Sequence, residues 1–394
     1  MNFYDFTLIK LREYVVANGF ERFRADQLFR WVHGYGQTDF SQMTNMSKKV
    51  REELPKFFEF KLPKMVTHLV SADGTEKFLF DLTPEDAAPV DGNGDTGVAM
   101  PASAAARQTV EAVLIPSGER LTLCVSSEVG CNMACKFCFT GKQKMKRRLT
   151  AGEIVAQYML ARKEMKGERR ISNIVFMGMG EPLDNPDAVF DSIEILHEPG
   201  GYNLSRKKIT VSTSGIVPLI PRVTASGARL AVSLNAVNDR VRDEIMPINK
   251  RWPIAELLEA CREYSRETGD LVTLEYVLLK GVTDSLEDAR ALYKLTKDVP
   301  CKINIIPFNE HPGSGFFRPS ESQIVRFQNE LIDLGSHVLR RKTMGRDIYA
   351  ACGQLRSAYK DHPKKFDVTK TSTGLEAPRG ASPIASPSSS ASNV

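Results

Sequence analysis

Three cysteines stand within eight residues of this chain, at Cys131, Cys135 and Cys138, in the spacing Cys-x3-Cys-x2-Cys. Three thiolates on one short loop suit a cubic four-iron cluster, in which the protein holds three irons and leaves the fourth open to a ligand. Phe137, directly before the last cysteine, suits a loop that wraps the cluster and screens it from water. The stretch therefore predicts one [4Fe–4S] cluster as a bound cofactor.

Other roles for these cysteines fit less well. A zinc site would need a fourth Cys or His close by, and the nearest upstream candidate is Cys124. A disulfide framework is not expected in a 394-residue chain with seven cysteines, an odd number, and no secretory signal. Core cysteines that fall at this spacing by accident are the weakest alternative.

The open iron of such a cluster can bind S-adenosylmethionine (SAM) through the amino and carboxylate groups of SAM. One electron from the cluster then cleaves the sulfonium and gives a carbon radical that can abstract hydrogen. The cysteine spacing is similar to the signature of radical-SAM enzymes, so we expect SAM as the second cofactor.

Strand and helix patterns alternate from the cysteine loop onward. They predict an α/β fold with a parallel barrel or part of one, and the similarity to radical-SAM enzymes implies a partial (β/α)6 barrel with its core at residues 120–358. We expect a small helical domain at residues 1–60 and a β-hairpin and strand extension at residues 61–126. Residues 84–107 predict a mobile insertion, because large apolar side chains are almost absent there, and the Ser- and Pro-rich residues 365–394 predict a disordered tail.

Several polar side chains are predicted at the carboxyl ends of barrel strands, where such barrels carry out their chemistry. The glycines of residues 177–183 would let the backbone approach a ligand closely, and Glu181 could accept a hydrogen bond from an ammonium group. Ser212, Ser233 and Asn309 end other strands and could bind the ribose and carboxylate of SAM. Helix capping explains the short hydroxyl and amide side chains about equally well.

Two cysteines outside the loop bear on the reaction. Cys124 lies on the strand that leads into the loop, and Cys352 lies in small-residue-rich sequence that suits a loop or short helix near a ligand. A thiol beside a radical source is more often functional than incidental, but the residues alone leave both interpretations open. Cys261 and Cys301 are most simply core or incidental residues.

Basic residues follow the cysteine loop directly, at positions 141–148. The formal net charge of +5 is too small to prove a polyanionic partner, and charge runs are usually solvated surface. Five positive charges in seven residues at the mouth of the predicted site nevertheless favour a phosphate-rich substrate, RNA.

The chain has no run of eighteen apolar residues, and its N-terminus has neither a basic nor an apolar signal region. We therefore expect a cytoplasmic protein without a membrane partner, a location that also suits an oxygen-sensitive cluster. We also expect a monomer, which would leave the mouth of the barrel free for a large RNA.

Taken together, the motifs resemble those of one family. The three-cysteine loop, Gly-Met-Gly-Glu-Pro-Leu at residues 178–183 and Ala-Ala-Cys-Gly-Gln at residues 350–354 are similar to those of the dual-specificity RNA adenine-C2 methyltransferases, the RlmN type of radical-SAM enzyme. Residues 23–27 and 123–127 match as well, and the resemblance runs from about residue 6 to about residue 358. It implies methylation at C2 of an adenosine in the peptidyl-transferase centre of 23S rRNA and of the adenosine beside the anticodon in tRNAs. It also implies an RNA-binding accessory role for the helical domain at residues 1–60.

The resemblance also implies roles for single residues. One SAM would methylate Cys352 to an S-methylcysteine, and a second SAM, cleaved at the cluster, would abstract hydrogen from that methyl group so that it adds to C2. Glu111 matches the acceptor of the C2 proton, and Cys124 matches the resolving thiol, which forms a transient disulfide with Cys352 and releases the RNA. The positions that match SAM contacts of the family are Gly180, Glu181, Ser212, Ser233, Leu234, Asn235 and Asn309.

Two further points follow from the resemblance. The cluster would need an electron donor such as flavodoxin or ferredoxin. Asn235 departs from the family pattern, because His stands there in many relatives. A contact through backbone atoms would survive this change, whereas a side-chain role would be altered.

Two other functions stay open. A related enzyme type that methylates C8 of the same rRNA adenosine and gives antibiotic resistance shares the cysteines and the cluster, although the N-terminal helical unit favours the C2 enzyme. A non-catalytic iron–sulfur RNA-binding module would hold a cluster but would form no 5′-deoxyadenosine from SAM. The matched positions of Cys124 and Cys352 argue against such a module.

Overall fold

The structure is a computed structural model, and it describes residues 1–84, 107–165 and 169–356. All but the end residues of the predicted insertion, and the whole predicted tail, lie outside the described residues. Within the described part of the chain, no helix is long and apolar enough to cross a membrane.

The first 60 residues form short helices. The α-helices are α1 (Leu8–Ala17), α2 (Phe23–Phe29) and α3 (Lys48–Glu53). The side chains of Thr7 and Ser47 accept hydrogen bonds from backbone amides of the first turns of α1 and α3, which stabilises both helix starts. After α2, the chain continues at Arg30 into a π-helical turn that ends at Gly34.

An antiparallel extension leads from this helical unit to the barrel. Its strands are β1 (Lys64–Val70), β2 (Glu76–Asp81), β3 (Thr109–Ser117) and β4 (Arg120–Cys124), and neighbours in this order pair with one another. Gly74, in the turn between β1 and β2, has a φ of 83°, which glycine adopts without steric strain. The turn of the predicted hairpin therefore lies at the Asp-Gly pair of residues 73 and 74.

From β4 onward the strands of the main sheet run parallel, with helices between them. Two short strands, β5 (Glu128–Val129) and β6 (Arg147–Arg148), flank the cysteine loop. The further barrel strands are β7 (Asn173–Phe176), β8 (Ile209–Thr213), β9 (Arg229–Ser233), β10 (Val272–Leu278), β11 (Cys301–Pro307) and β12 (Val338–Arg340). The helices are α4 (Ala151–Glu164), α5 (Pro186–His197), α6 (Ile220–Ser226), α7 (Asp239–Ile245), α8 (Ile254–Thr268), α9 (Leu286–Thr296) and α10 (Glu321–Asp333).

Strands β4, β7, β8, β9, β10 and β11 pair in this order, all parallel, and β12 adds a further parallel edge. With their intervening helices they form the predicted partial (β/α)6 barrel, so the α/β fold class is confirmed. Capping boxes begin α4 at Thr150 and α9 at Ser285, as the side-chain pattern of each helix start requires. Helix α7 was not predicted, because its seven residues carry mainly charged side chains.

The N-terminal unit packs on the first helices of the barrel. Asp5 accepts a hydrogen bond from the backbone amide of Gly152 at 2.8 Å, at the positive end of the α4 dipole. His33 contacts the hydroxyl of Tyr202 at 3.1 Å, and burial lowers the pKa of His33 to about 3, so its ring stays neutral. The helical unit and the barrel therefore share one continuous buried core.

Candidate active site

The cysteine loop lies between β5 and β6. Its backbone turns sharply: Ala134 has a φ of 54°, and a Cβ on Gly141 would lie 2.6 Å from the carbonyl oxygen of Cys135. Cys131, Cys135 and Cys138 all line an internal cavity of about 130 Å³. Burial raises the pKa of all three thiols, because the charged thiolate is disfavoured away from water.

This donor set fits an iron–sulfur cluster better than a single metal ion. Among the described residues, no three Cys, His, Asp or Glu side chains converge closely enough to hold one ion. A cubic cluster takes each cysteine on a different iron, and it supplies the positive charge that three buried thiolates need. The residues present are therefore suited to a [4Fe–4S] cluster. The zinc alternative is not supported, because no Cys or His among the described residues completes a single-ion site with the three cysteines.

The turn after β7 packs tightly against the segment after β4. A Cβ on Gly178 would lie 2.6 Å from the carbonyl oxygen of Val125, and one on Gly180 would lie 2.6 Å from the side chain of Glu128. Glycine was expected here for a close approach to a ligand. The structure shows that close packing of protein on protein already requires both glycines.

Glu181 joins this turn to the end of β8. One of its carboxylate oxygens accepts a hydrogen bond from the amide of Leu183 at 3.1 Å, and the other accepts one from the amide of Ser214 at 2.7 Å. Burial raises the pKa of Glu181, and these amides act in the opposite direction. The Glu181 side chain lines the same cavity as the three cysteines, and the two backbone amides fix its position there.

Polar atoms that accept or donate no hydrogen bond among the described residues face the same cavity, although one of them, an oxygen of Glu275, lies 3.6 Å from the guanidinium of Arg341. Ser212 donates a hydrogen bond to one carboxylate oxygen of Glu275 at 3.2 Å. The other oxygen of Glu275 and the hydroxyl of Ser214 are buried without a hydrogen-bond partner in the described structure. Since buried polar atoms in proteins are nearly always hydrogen-bonded, this edge is suited to a polar ligand such as SAM.

Asn235 is engaged within the protein rather than directed at the cavity. It is buried with a φ of 56°, its side-chain oxygen accepts a hydrogen bond from the amide of Val277 at 2.9 Å, and its amide nitrogen lies 3.2 Å from the sulfur of Met246. Both polar atoms therefore stabilise the end of β9. Asn235 takes a structural position here, and a ligand contact at this residue would come from its backbone.

Arg242, on α7, holds the ends of two barrel strands together and was missed by the sequence analysis. Its guanidinium donates to the carbonyl oxygens of Ser214 at 2.7 Å, Ser233 at 2.9 Å and Leu234 at 2.9 Å. The side chain is fully buried, and burial lowers the pKa of Arg242 to about 10. An arginine in a charged stretch looks like solvated surface, so no sequence signal identified it.

Cys352 lies where two cavities meet. It lines the smaller cavity with the three cysteines, and it also lines a larger cavity of about 820 Å³ inside the barrel. Its carbonyl oxygen accepts a hydrogen bond from the side-chain amide of Asn309 at 3.1 Å, and the amide of Phe139 donates to the carbonyl of Gly353 at 2.8 Å. The structure thus brings Cys352 and Asn309 together and ties both to the cysteine loop.

The Cys124 and Cys352 thiols both lie near the charged side chains of Arg341 and Glu275. Burial raises the pKa of the Cys124 thiol to about 12 and that of the Cys352 thiol to about 11, whereas the positive charge of Arg341 acts to lower both. Arg341 lies 3.6 Å from Glu275, and each thiol is within its electrostatic range. No sequence pattern placed Arg341 or Glu275 beside these thiols, although the charged Glu275 inside the apolar strand β10 was a usable signal.

Glu111 contacts the end of the loop that carries Cys352, and it lines neither of the two cavities. One carboxylate oxygen pairs with the ammonium of Lys77 at 2.9 Å, and the other accepts a hydrogen bond from the amide of Arg356 at 3.0 Å. The ammonium of Lys77 also donates to the carbonyl oxygen of Tyr349 at 3.3 Å. Strand β2 thereby holds both the predicted proton acceptor and the loop that carries Cys352.

Removing Lys77 should destabilise the fold. The side chains of Lys77 and Glu111 are 4% and 1% exposed, so Lys77→Met leaves a buried carboxylate without its cation. We expect a loss of about 3–5 kcal/mol in the free energy of unfolding, measured by chemical denaturation. The double variant Lys77→Met, Glu111→Gln removes both charges and should lose less. A double variant less stable than Lys77→Met would contradict the pairing.

The predicted basic stretch is partly neutralised. Arg147 pairs with Glu153 at 2.7 Å, and Arg148 pairs with Asp184 at 2.8 Å. Lys142 donates to the carbonyl oxygen of Gly313. These contacts attach the stretch to the protein at the cysteine-loop end of the barrel.

Comparisons with known proteins agree with this geometry. The model of the radical SAM superfamily matches residues 125–293, and the model of the ribosomal RNA large subunit methyltransferase N-terminal domain matches residues 1–60. The first match contains the cysteine loop and the ends of strands β7, β8 and β9. The second coincides with the helical unit.

Curated relatives and a solved structure extend the likeness over most of the chain. The dual-specificity RNA methyltransferase RlmN of Bdellovibrio bacteriovorus is 57% identical over 371 residues, which cover 94% of this chain and 87% of that protein. The protein of the same name from Geotalea uraniireducens is 45% identical over 353 residues, covering 89% of this chain and 95% of that protein. A crystal structure of a radical SAM methyltransferase from Sphaerobacter thermophilus is 41% identical with a TM-score of 0.77, covering 91% of this chain and 99% of that one.

Proposed function

The chain belongs to the RlmN family of dual-specificity RNA methyltransferases within the radical-SAM superfamily, and from that membership we propose that it methylates C2 of adenosine in 23S rRNA and in tRNAs. The predicted family and enzyme class are confirmed. One observation carries the mechanism: Cys352 lies between the cavity lined by the three cysteines and the large cavity of the barrel.

Cys131, Cys135 and Cys138 would hold the [4Fe–4S] cluster that the superfamily implies. The bound, reduced cluster supplies the electron that cleaves SAM to methionine and a carbon radical. Ser212, Ser214 and Glu275, which present unsatisfied or weakly bound oxygens to the smaller cavity, would orient SAM.

The thiols carry the methyl group in the proposed reaction. The Cys352 sulfur first takes a methyl group from one SAM and releases its thiol proton. The carbon radical formed from a second SAM removes a hydrogen atom from that methyl group, and the resulting methylene carbon bonds to C2 of the adenine. Glu111 accepts the C2 proton while the adduct radical gives one electron back to the cluster. Cys124 then loses its thiol proton and attacks the Cys352 sulfur, so that the disulfide forms as the carbon–sulfur bond breaks, and the released methylene carbon takes up a proton to become the methyl group.

The electrons of this sequence balance without a further oxidant. Forming the disulfide from two thiols releases two electrons, and cleaving one SAM to methionine and 5′-deoxyadenosine takes up two. The disulfide must be reduced before the next turnover, and a one-electron donor such as flavodoxin or ferredoxin would bring the cluster to its reduced state before the first turnover. We further propose that the chain acts as a monomer.

Glu111 needs a change of partners to act as the proton acceptor. Both its oxygens are occupied, by Lys77 and by the amide of Arg356. Residue 356 follows Cys352 on the same loop, so a movement of that loop on RNA binding would free one oxygen.

Mass spectrometry of digested RNA tests the proposed product. RNA from cells lacking this methyltransferase, incubated with the reduced protein and SAM, should contain 2-methyladenosine in 23S rRNA and in tRNA. Finding 8-methyladenosine alone would assign the chain to the C8 enzyme type. Finding no methylated adenosine, with a cluster present but no 5′-deoxyadenosine, would favour the non-catalytic RNA-binding module.

A further inference from the structure

We propose that the substrate RNA reaches Cys352 from the amino-terminal end of the barrel, where Arg120, Arg229 and Lys302 bind its phosphates. This inference rests on the proposed function and adds the surface by which the RNA is held. It replaces the basic stretch at residues 141–148 as the main phosphate contact.

The large cavity runs along the inside of the barrel. Its lining begins with Arg120, Arg229 and Lys302 at or near the first residues of β4, β9 and β11. It ends with Asn309 and Cys352 at the opposite end of the parallel strands. A volume of about 820 Å³ is in the range of pockets that enclose ligands the size of a nucleotide. The cavity therefore links the amino-terminal end of the barrel with the thiol that would react.

The middle of the cavity is hollow and partly polar. Barrel interiors are commonly packed with bulky branched side chains. Here some inward positions carry Thr122, Asn173, Thr210, Thr273 and Asn304, which are small and can donate or accept hydrogen bonds, and others carry the apolar Val175, Ala231 and Ile306. The outward positions of β10 are the buried Val272, Leu274, Tyr276 and Leu278. The strands thus leave room inside for a base, which would meet both polar and apolar side chains.

The three cations are positioned close together without carboxylate partners. Burial lowers the pKa of Lys302, and the positive charges of Arg229 and Arg120 lower it further. In residues 1–84, 107–165 and 169–356, none of the three forms an ion pair with Asp or Glu. Seven basic and two acidic side chains line the cavity. Like charges that repel one another in the free protein are stabilised when a phosphate lies between them.

The opposite end of the barrel is covered by protein. The cysteine loop and the Cys352 loop are joined there by the hydrogen bond between Phe139 and Gly353. Arg147 and Arg148 already pair with carboxylates at that end. A nucleotide approaching from there would have to displace the cluster loop, whereas the amino-terminal end presents its cations beside an open cavity.

A charge-reversal variant tests this assignment. In Arg120→Glu, Arg229→Glu, Lys302→Glu, we expect the KM for RNA to rise by roughly 10-fold or more. The plot of log affinity against log salt concentration has a negative slope, and its magnitude should decrease by about 0.7–0.9 for each phosphate that the variant no longer neutralises. The matched control, Lys297→Glu with Arg326→Glu, changes two exposed cations outside the cavity and should leave KM unchanged.

Further readouts separate binding from folding and from the proposed function. Iron content and S-methylation of Cys352, detected by peptide mass spectrometry, should match the wild type in the charge-reversal variant. The glutamine versions of the same three substitutions should give an intermediate KM, because they remove charge without reversing it. If the wild type methylates no RNA, the proposed function fails.

If the wild type methylates RNA and the charge-reversal variant keeps the wild-type KM and salt slope, RNA does not bind at this end and the inference is wrong. A rise in KM for Lys142→Glu, Lys144→Glu, with no rise for the charge-reversal variant, would place RNA binding at the cysteine-loop end instead.

Discussion

Cys352→Ala should abolish RNA methylation while the protein keeps its iron. The reason is positional: Cys352 is the thiol shared by the cavity of the three cysteines and the cavity of the barrel, so no neighbouring thiol can take its place. We expect the rate of 2-methyladenosine formation to fall by about 10³-fold or more, as when a covalent nucleophile is removed. Liquid chromatography with mass spectrometry of the RNA digest measures this rate.

The matched control for this variant is Cys261→Ala. Cys261 is buried on α8 within the apolar core, so its removal creates a small apolar cavity without touching the reaction. Iron and sulfide content and SAM binding should be unchanged in both variants. Methylation at the wild-type rate by Cys352→Ala would refute the S-methylcysteine mechanism.

Cys124→Ala should trap the protein on its RNA. Without the second thiol, nothing can attack the Cys352 sulfur after the methylene group has bonded to C2, so the carbon–sulfur bond persists. We expect a covalent protein–RNA adduct in the majority of molecules that complete the addition step, visible as a nuclease-sensitive band of lower mobility in a denaturing gel.

The double variant Cys124→Ala, Cys352→Ala isolates this chemistry, because it lacks the thiol that bonds to RNA and should form no adduct. Treatment with nuclease should return the trapped Cys124→Ala protein to its free mobility. If Cys124→Ala releases methylated RNA at the wild-type rate, then Cys124 is not the resolving thiol.

Much of the fold follows from local sequence patterns. The alternating apolar residues of β10 and β11, the capping boxes at Thr150 and Ser285 and the Asp-Gly turn before β2 each act over a few residues, so they can be identified in the chain by itself. The predicted domain boundaries stay predictions. At the short helix α7, where the structure differs from the prediction, packing outweighs local preference.

The candidate site was predictable where its residues are close in sequence. The spacing of Cys131, Cys135 and Cys138 is itself a chemical indication of a cluster. The assignments of Cys352, Cys124, Glu111 and the SAM contacts depended on resemblance, and they stay predictions that the cysteine variants begin to test. Residues that act across long distances in sequence, such as Arg242, Lys77 and Arg341, escaped prediction because the folded chain is needed to bring each of them to its partners.

Spacing and periodicity are local properties, so the amino-acid sequence was sufficient to predict a cluster loop and a parallel α/β barrel. The sequence also carried the motifs of the RlmN family. The folded chain was needed to show that Cys352 joins two cavities, that Lys77 holds Glu111, and that Arg120, Arg229 and Lys302 meet at the amino-terminal end of the barrel. The physical reason is that burial, cavity shape and charge pairing depend on contacts between residues far apart in the chain.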